Sequence, residues 1–264
     1  MKYLLRKFIP RIKIRYKSKT TKGYPCYKYL ELPRRPFLYF RRDFYNEIDN
    51  ILTKGKNVID QDELGILISH DLVTNDEDII CAVGVGNGIS LIHNCLKDKP
   101  EKSFIGIEAS SKQIKNTIKN AKLNNICENK YYLINGFGGT NSSYIYGDKK
   151  QISDDFIDIN QLKFDVLELD CEGAELHILK NLTLKPKHII VETHPSLVSI
   201  DYEEFLKLMR TKGYSLNLAY TVFGQKVMQE DIPSYFTNER IELLNQGISW
   251  GENLLVLTFS LQKK

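Results

Sequence analysis

No apolar run in these 264 residues reaches the roughly 18 to 20 residues that a membrane-spanning helix requires, so the sequence predicts no transmembrane segment. Cysteine is scarce as well. Cys26, Cys81, Cys95, Cys127 and Cys171 are an odd number without the paired spacing of a zinc site, and no His-x-x-x-His pair supplies a substitute. Reduced thiols in a cytoplasmic protein are the expectation. The first ten residues interrupt their apolar stretch with charge and lack a small-residue cleavage site, which argues against a secretory signal. No internal repeat is present. What remains is an ordinary soluble composition, 42% hydrophobic and 27% charged, in a chain long enough for one full α/β domain plus an appendage of some tens of residues.

Acidic residues are nearly missing from the first 42 positions. That stretch holds 14 Lys or Arg against Glu31 alone, a charge of +13, which leaves −9 on the other 222 residues of a chain whose net charge is +4. Within it, residues 11–17 alternate basic and apolar side chains with the period of a strand, and Tyr24, Tyr27, Tyr29 and Phe37 add aromatics. This basic N-terminal extension suits RNA, an anionic membrane surface or a phosphorylated glycan, and equally a solvated hairpin packed on an acidic domain. Residues 43–76 follow as a helical cover segment, with Phe44, Ile48 and Leu52 at helical spacing over residues 40–52. Residues 77–264 then alternate strand with helix, the pattern of a mostly parallel central sheet covered on both faces.

The chemistry concentrates at the predicted strand ends. Residues 79–83 read as a buried strand that runs into Gly84, Gly86, Asn87 and Gly88 and then into a helix over residues 89–96. Ile89 stands where the third glycine of a nicotinamide-type G-x-G-x-x-G belongs, so that fingerprint is not met. A second strand ends in Glu108, an acid placed to accept from ribose hydroxyls or to cap the helix over residues 111–123. A third strand ends at Asn135, which suits either a base contact or a turn. The polar, glycine-rich residues 136–155, with Tyr144 and Tyr146 embedded, read as a loop over the cleft. A fourth strand runs directly into Asp170, Glu172, Gly173 and Glu175, and a fifth into Glu192 and His194. Residues 202–209 form a one-faced helix, two late strands cover residues 214–218 and 254–259, and Tyr235 and Trp250 lie in the insertion between them.

The glycine loop, the strand-end Glu108 and the segment Glu168-Leu-Asp-Cys-Glu-Gly-Ala-Glu175 resemble the FkbM-type family of S-adenosylmethionine-dependent methyltransferases. The likeness extends over residues 79–195. Ala82 stands where that family commonly has an acid, and Glu168 where it commonly has a lysine. The resemblance implies a Rossmann-like class I methyltransferase fold with an antiparallel edge strand, and S-adenosylmethionine as cofactor. It implies a cofactor site of Gly84, Gly86, Asn87, Gly88, Glu108, Asn135 and Asp170, with Asp170, Glu172 and His194 as catalytic residues.

It further implies a hydroxyl acceptor on a small molecule or glycan. Methylating a hydroxyl requires a proton acceptor near the reacting oxygen, and His194 is the candidate. This reading needs no metal, although Asp170, Glu192 and His194 would alternatively converge on a divalent cation. An RNA ribose methyltransferase, an RNA-binding protein anchored by the basic segment, and a cofactor-free scaffold marked by Ala82 and Glu168 are the competing readings. Base N-methylation lacks its Asn-Pro-Pro-Tyr-type motif.

Overall fold

A computed structural model describes residues 11–19, 25–33, 63–97, 100–139, 155–197, 201–246 and 253–262. The helix expected over residues 40–52, Tyr144, Tyr146 and Trp250 lie outside them. In the basic segment, β1 (Arg11–Lys19) and β2 (Pro25–Pro33) pair as an antiparallel hairpin whose register matches Arg11 with Pro33 and Lys19 with Pro25.

After helix α1 (Leu64–Val73) the chain alternates as the sequence predicts. The order is β3 (Ile80–Val83), α2 (Ile89–Cys95), β4 (Phe104–Glu108), α3 (Ser111–Leu123) and β5 (Tyr131–Asn135). A short pair, β6 (Phe137–Gly138) and β7 (Phe156–Ile157), precedes β8 (Val166–Leu169), α4 (Glu175–Asn181), β9 (His188–Glu192) and α5 (Tyr202–Thr211). The last elements are β10 (Tyr214–Thr221), α6 (Asn238–Asn245) and β11 (Leu255–Leu261).

Seven strands form one sheet in the order β10-β11-β9-β8-β3-β4-β5. The strands from β9 to β5 are parallel neighbours, whereas β11 runs antiparallel to both β9 and β10 and lies between them. This is the Rossmann-like arrangement with an antiparallel pair at one edge. Strands β3 and β8 are buried along their whole length, which is why they read as continuous apolar runs without a period of two. Cys81, Val83, Leu167 and Leu169 pack on one face with α4 and α5, and Ile80, Ala82, Val166 and Ile190 pack on the other with α1 and α2. On α5 the stripe Tyr202, Phe205, Leu206 and Met209 is buried, and the Asp201 carboxylate accepts from the Glu203 and Glu204 amides to start the helix.

Two elements depart from the sequence reading. Helix α1 lies inside the expected helical cover segment 43–76 but was given no bounds of its own, because its buried run from Gly65 to His70 leaves only a weak amphipathic period. The glycine-rich segment after β5 begins and ends in the β6–β7 pair, with the Phe137 amide donating to the Asp155 carbonyl, so both of its ends are fastened. Among the described residues no helix is long and apolar enough to cross a membrane.

Candidate active site

Strand order reverses between β3 and β8, and the carboxyl ends of these two strands therefore border a crevice that no crossover helix covers. The chain leaves β3 through Gly84, Gly86 and Gly88, with φ of 90°, 54° and 82°. Gly84 is required by contact: a Cβ there would lie 1.7 Å from the Asp170 carbonyl oxygen. At Gly86 the space is empty to 4 Å, leaving the backbone open to a ligand. The loop is held from below by α3, where the Thr117 hydroxyl donates to the Gly86 carbonyl at 2.8 Å and the Asn120 amide to the Asn87 carbonyl at 2.9 Å. The sequence reading gave the helix over residues 111–123 no part in the site. Thr117 and Asn120 carried no signal because their partners are backbone carbonyls in a distant loop.

Glu108 ties the end of β4 to this loop. One carboxylate oxygen accepts from the Gly86 amide at 2.9 Å and the other from the Ser110 amide at 2.8 Å. Burial pushes its pKa up, and the backbone N–H groups of Ser110, Gly86 and Ala109 oppose that rise. Each oxygen keeps a second lone-pair direction, so the group still suits a pair of ribose hydroxyls. Asn135 uses its amide nitrogen in a contact that the sequence reading did not foresee. Its amide donates to the Glu108 and Ala109 carbonyls at 2.8 and 3.0 Å and so secures the β4 terminus.

At the β8 terminus the backbone bends through Glu172 at φ 54° and Gly173 at φ 101°. A left-handed glutamate costs about 1 to 2 kcal/mol, a strain typical of functional positions. Glu175 fixes the bend, accepting from the Cys171 amide at 3.0 Å and the Gly173 amide at 2.8 Å. It also meets His194 Nδ1 at 2.9 Å. The sequence reading placed Glu175 in the carboxylate cluster after the fourth strand; its bond to His194 depends on β8 and β9 becoming neighbours.

His194, 5% exposed, directs Nε2 at three further carboxylates. They stand at 3.6 Å (Glu192), 3.6 Å (Glu172) and 3.7 Å (Asp170), too far for hydrogen bonds. Burial alone would push the imidazole pKa down, but Glu175 and then Glu192 outweigh it and hold the value well above normal. Asp170 is pushed well up by burial and by Glu192, and Glu172 is pushed up by burial against the pull of His194. Glu175 is lowered, because His194 overcomes the effect of burial. The Cys171 thiol is pushed far up by burial and Glu175, which suppresses any thiolate nucleophile. Against His194 lies a small apolar recess formed by Leu176, Val191, Pro195, Phe205 and Phe236.

The family model for the FkbM methyltransferase domain matches residues 48–216, well over half of the chain and spanning everything from the glycine loop to His194. The chain belongs to the FkbM methyltransferase family. It is therefore an S-adenosylmethionine-dependent methyltransferase, and the glycine loop with its Glu108 tether fits that cofactor. No curated protein sequence matches it significantly. Among solved structures it is similar to a ribosomal protein L11 methylase from Lactobacillus delbrueckii subsp. bulgaricus, with 13% identity, 75% of this chain and 77% of that chain covered, and a TM-score of 0.45. A magnesium protoporphyrin IX methyltransferase from Synechocystis PCC 6803 is also similar, with 14% identity, 85% and 94% coverage and a TM-score of 0.46.

The two departures from the FkbM pattern are register partners, Ala82 on β3 and Glu168 on β8. Glu168 is buried and bonds to Nε2 of His70 on α1 at 2.5 Å. A polar pair at this level of the sheet is thus made with a helix, and the small Ala82 fills the neighbouring position in the core.

Proposed function

We propose that this FkbM methyltransferase methylates a hydroxyl group of a sugar, glycan or other hydroxylated metabolite. Gly84, Gly86, Asn87, Gly88 and Glu108 hold the cofactor, with Asp170 at the boundary between cofactor and acceptor. The observation that carries the reading is the joining of the two sites: the Asp170 carbonyl lies against Gly84, while the Asp170 side chain faces His194 and shares the cluster with Glu172. When bound, S-adenosylmethionine supplies a methyl group on a positively charged sulfur.

The residues of this chain supply proton acceptance and position. Asp170 and Glu172, with side chains 24% and 29% exposed, are the acids within reach of an acceptor. Glu172 is assigned the proton: as the acceptor oxygen gains the methyl group its O–H bond breaks, and the proton passes to the Glu172 carboxylate. A carboxylate raised by burial toward the working pH is well matched to this task. His194 retains its own proton too firmly to serve as the base and instead holds Asp170, Glu172 and Glu192 in place. The expected role of His194 thereby passes to Glu172. The basic segment 1–42 favours, as a second reading, a polyanionic acceptor such as RNA ribose, whose binding would weaken steeply with salt.

The test is calorimetry with S-adenosylmethionine, together with release of S-adenosylhomocysteine on panels of sugars, glycans and RNA. Glu108→Ala should weaken cofactor binding at least about tenfold, since charge-assisted bonds are worth about 1.5 to 3 kcal/mol each. Glu172→Gln should leave cofactor affinity intact and lower kcat by about 100-fold or more. Turnover of Glu172→Gln at the wild-type rate would remove that residue from the mechanism.

A further inference from the structure

We propose that Asp170, Glu192 and His194 form a binding site for one divalent cation of the manganese or magnesium kind. One ligand atom from each lies within 4.8 Å of the others, a spread that small side-chain movements would close around an ion with bonds of about 2.1 Å. Three features separate this group from an ordinary acidic cluster.

The first is unused donor capacity deep inside the protein. Nε2 of His194 has no hydrogen-bond partner although the residue is 5% exposed, and Oε2 of Glu192 has none although that residue is 2% exposed. Leaving such atoms unbonded is costly in a buried place, and an ion would recover that cost. Secondly, the ring is already oriented for ligation. Glu175 holds Nδ1 at 2.9 Å and is itself held by the Cys171 and Gly173 amides. With Nδ1–H donating to Glu175, Nε2 faces the carboxylates, the carboxylate–histidine arrangement that supports metal ligands, and an ion entering the site would displace the proton that Nε2 otherwise retains. Thirdly, four carboxylates, those of Asp170, Glu172, Glu175 and Glu192, surround a single imidazole. Uncompensated negative charge in a buried place is expensive, and a divalent ion would neutralise it.

Oxygen donors with one imidazole and no thiolate suit manganese or magnesium better than copper. Asp170 is the partly exposed member, so the ion would keep coordination positions open toward the crevice. The ion's purpose rests on the methyl-transfer reading above: it would hold the acceptor hydroxyl beside Glu172.

The experiment measures ion binding without cofactor or acceptor. Full-length protein stripped with EDTA is titrated with Mn2+, and free Mn2+ is followed by electron paramagnetic resonance. One Mn2+ per chain should bind, Mg2+ should compete, and Glu192→Gln should weaken binding at least about tenfold with an unchanged circular dichroism spectrum. Asp170→Asn, at a more exposed position, provides the same comparison should Glu192→Gln misfold. Absence of Mn2+ binding below about 1 mM, or equal binding by wild type and the folded variant, would overturn the site. Calorimetry of S-adenosylmethionine in EDTA separates the two readings: cofactor binding without Mn2+ binding defeats only the ion site, and Mn2+ binding without cofactor binding defeats only the methyl-transfer assignment.

Discussion

Glu168 is the residue whose presence the sequence made hardest to understand, and its partner His70 lies 98 positions earlier. Both are buried, and the bond between them connects α1 to the centre of the sheet. Removing one member of such a pair leaves the other unsatisfied in the core. His70→Leu should therefore lower unfolding free energy by about 3 kcal/mol, measured by urea titration, whereas a neutral result would mean that Glu168 finds water or another partner. Local sequence made Asp170, Glu172, His194 and the glycines legible, because each follows directly from an apolar strand. Glu175 as the anchor of His194 and His70 as the partner of Glu168 were not legible, since each interaction depends on which strands and helices become neighbours.

At the scale of elements, the β3–α2 turn distinguishes two reasons for glycine. At Gly84 an added methyl group collides with the Asp170 carbonyl, so Gly84→Ala should displace the β8 terminus and destabilise the fold. At Gly86 the methyl group meets nothing, and the cost is limited to a left-handed alanine, about 1 to 2 kcal/mol. Gly86→Ala should therefore fold and melt cooperatively while losing affinity for S-adenosylmethionine; calorimetry and thermal denaturation on both variants check the contrast. Undiminished cofactor binding by Gly86→Ala would move the ligand away from this backbone. The strands and the main helices after β3 were legible from apolar runs and helical stripes. The β6–β7 pair was not, for strands of two residues carry no period. The bounds of α1 were not either, because its largely buried surface leaves little amphipathic pattern.

For the whole molecule, acid sensitivity follows from a second polar group between α1 and α2. Asp71 accepts from His93 at 2.8 Å and pairs with Lys97 at 2.9 Å, and although burial acts to raise its pKa, these partners hold it far below the usual carboxylate range. Burial also pushes the His93 pKa down, against the influence of Asp71. Both shifts act in one direction: folding is favoured while Asp71 is ionised and His93 is not fully protonated. The stability that this group contributes should start to fall as pH drops below about 6.5, where an unfolded histidine gains its proton, and fall further below about 4, while the raised His194 and Asp170 act in the opposite direction. Urea titrations at several pH values would test this. The stability advantage of wild type over Asp71→Asn should shrink as pH falls below about 4, and a constant difference would exclude the pairing as its source.

The position of β11 sets a timetable for biosynthesis. Its Leu255 carbonyl receives both the backbone amide and the hydroxyl of Thr193, immediately before His194. A ribosome making about 5–20 residues per second delivers Leu255 several seconds after His194. During that interval the glycine loop and Glu108 are already made while the acceptor side still lacks its last strand. The cluster around His194 thus stays without the strand that braces it until the sheet is closed, however early the glycine loop and Glu108 are made.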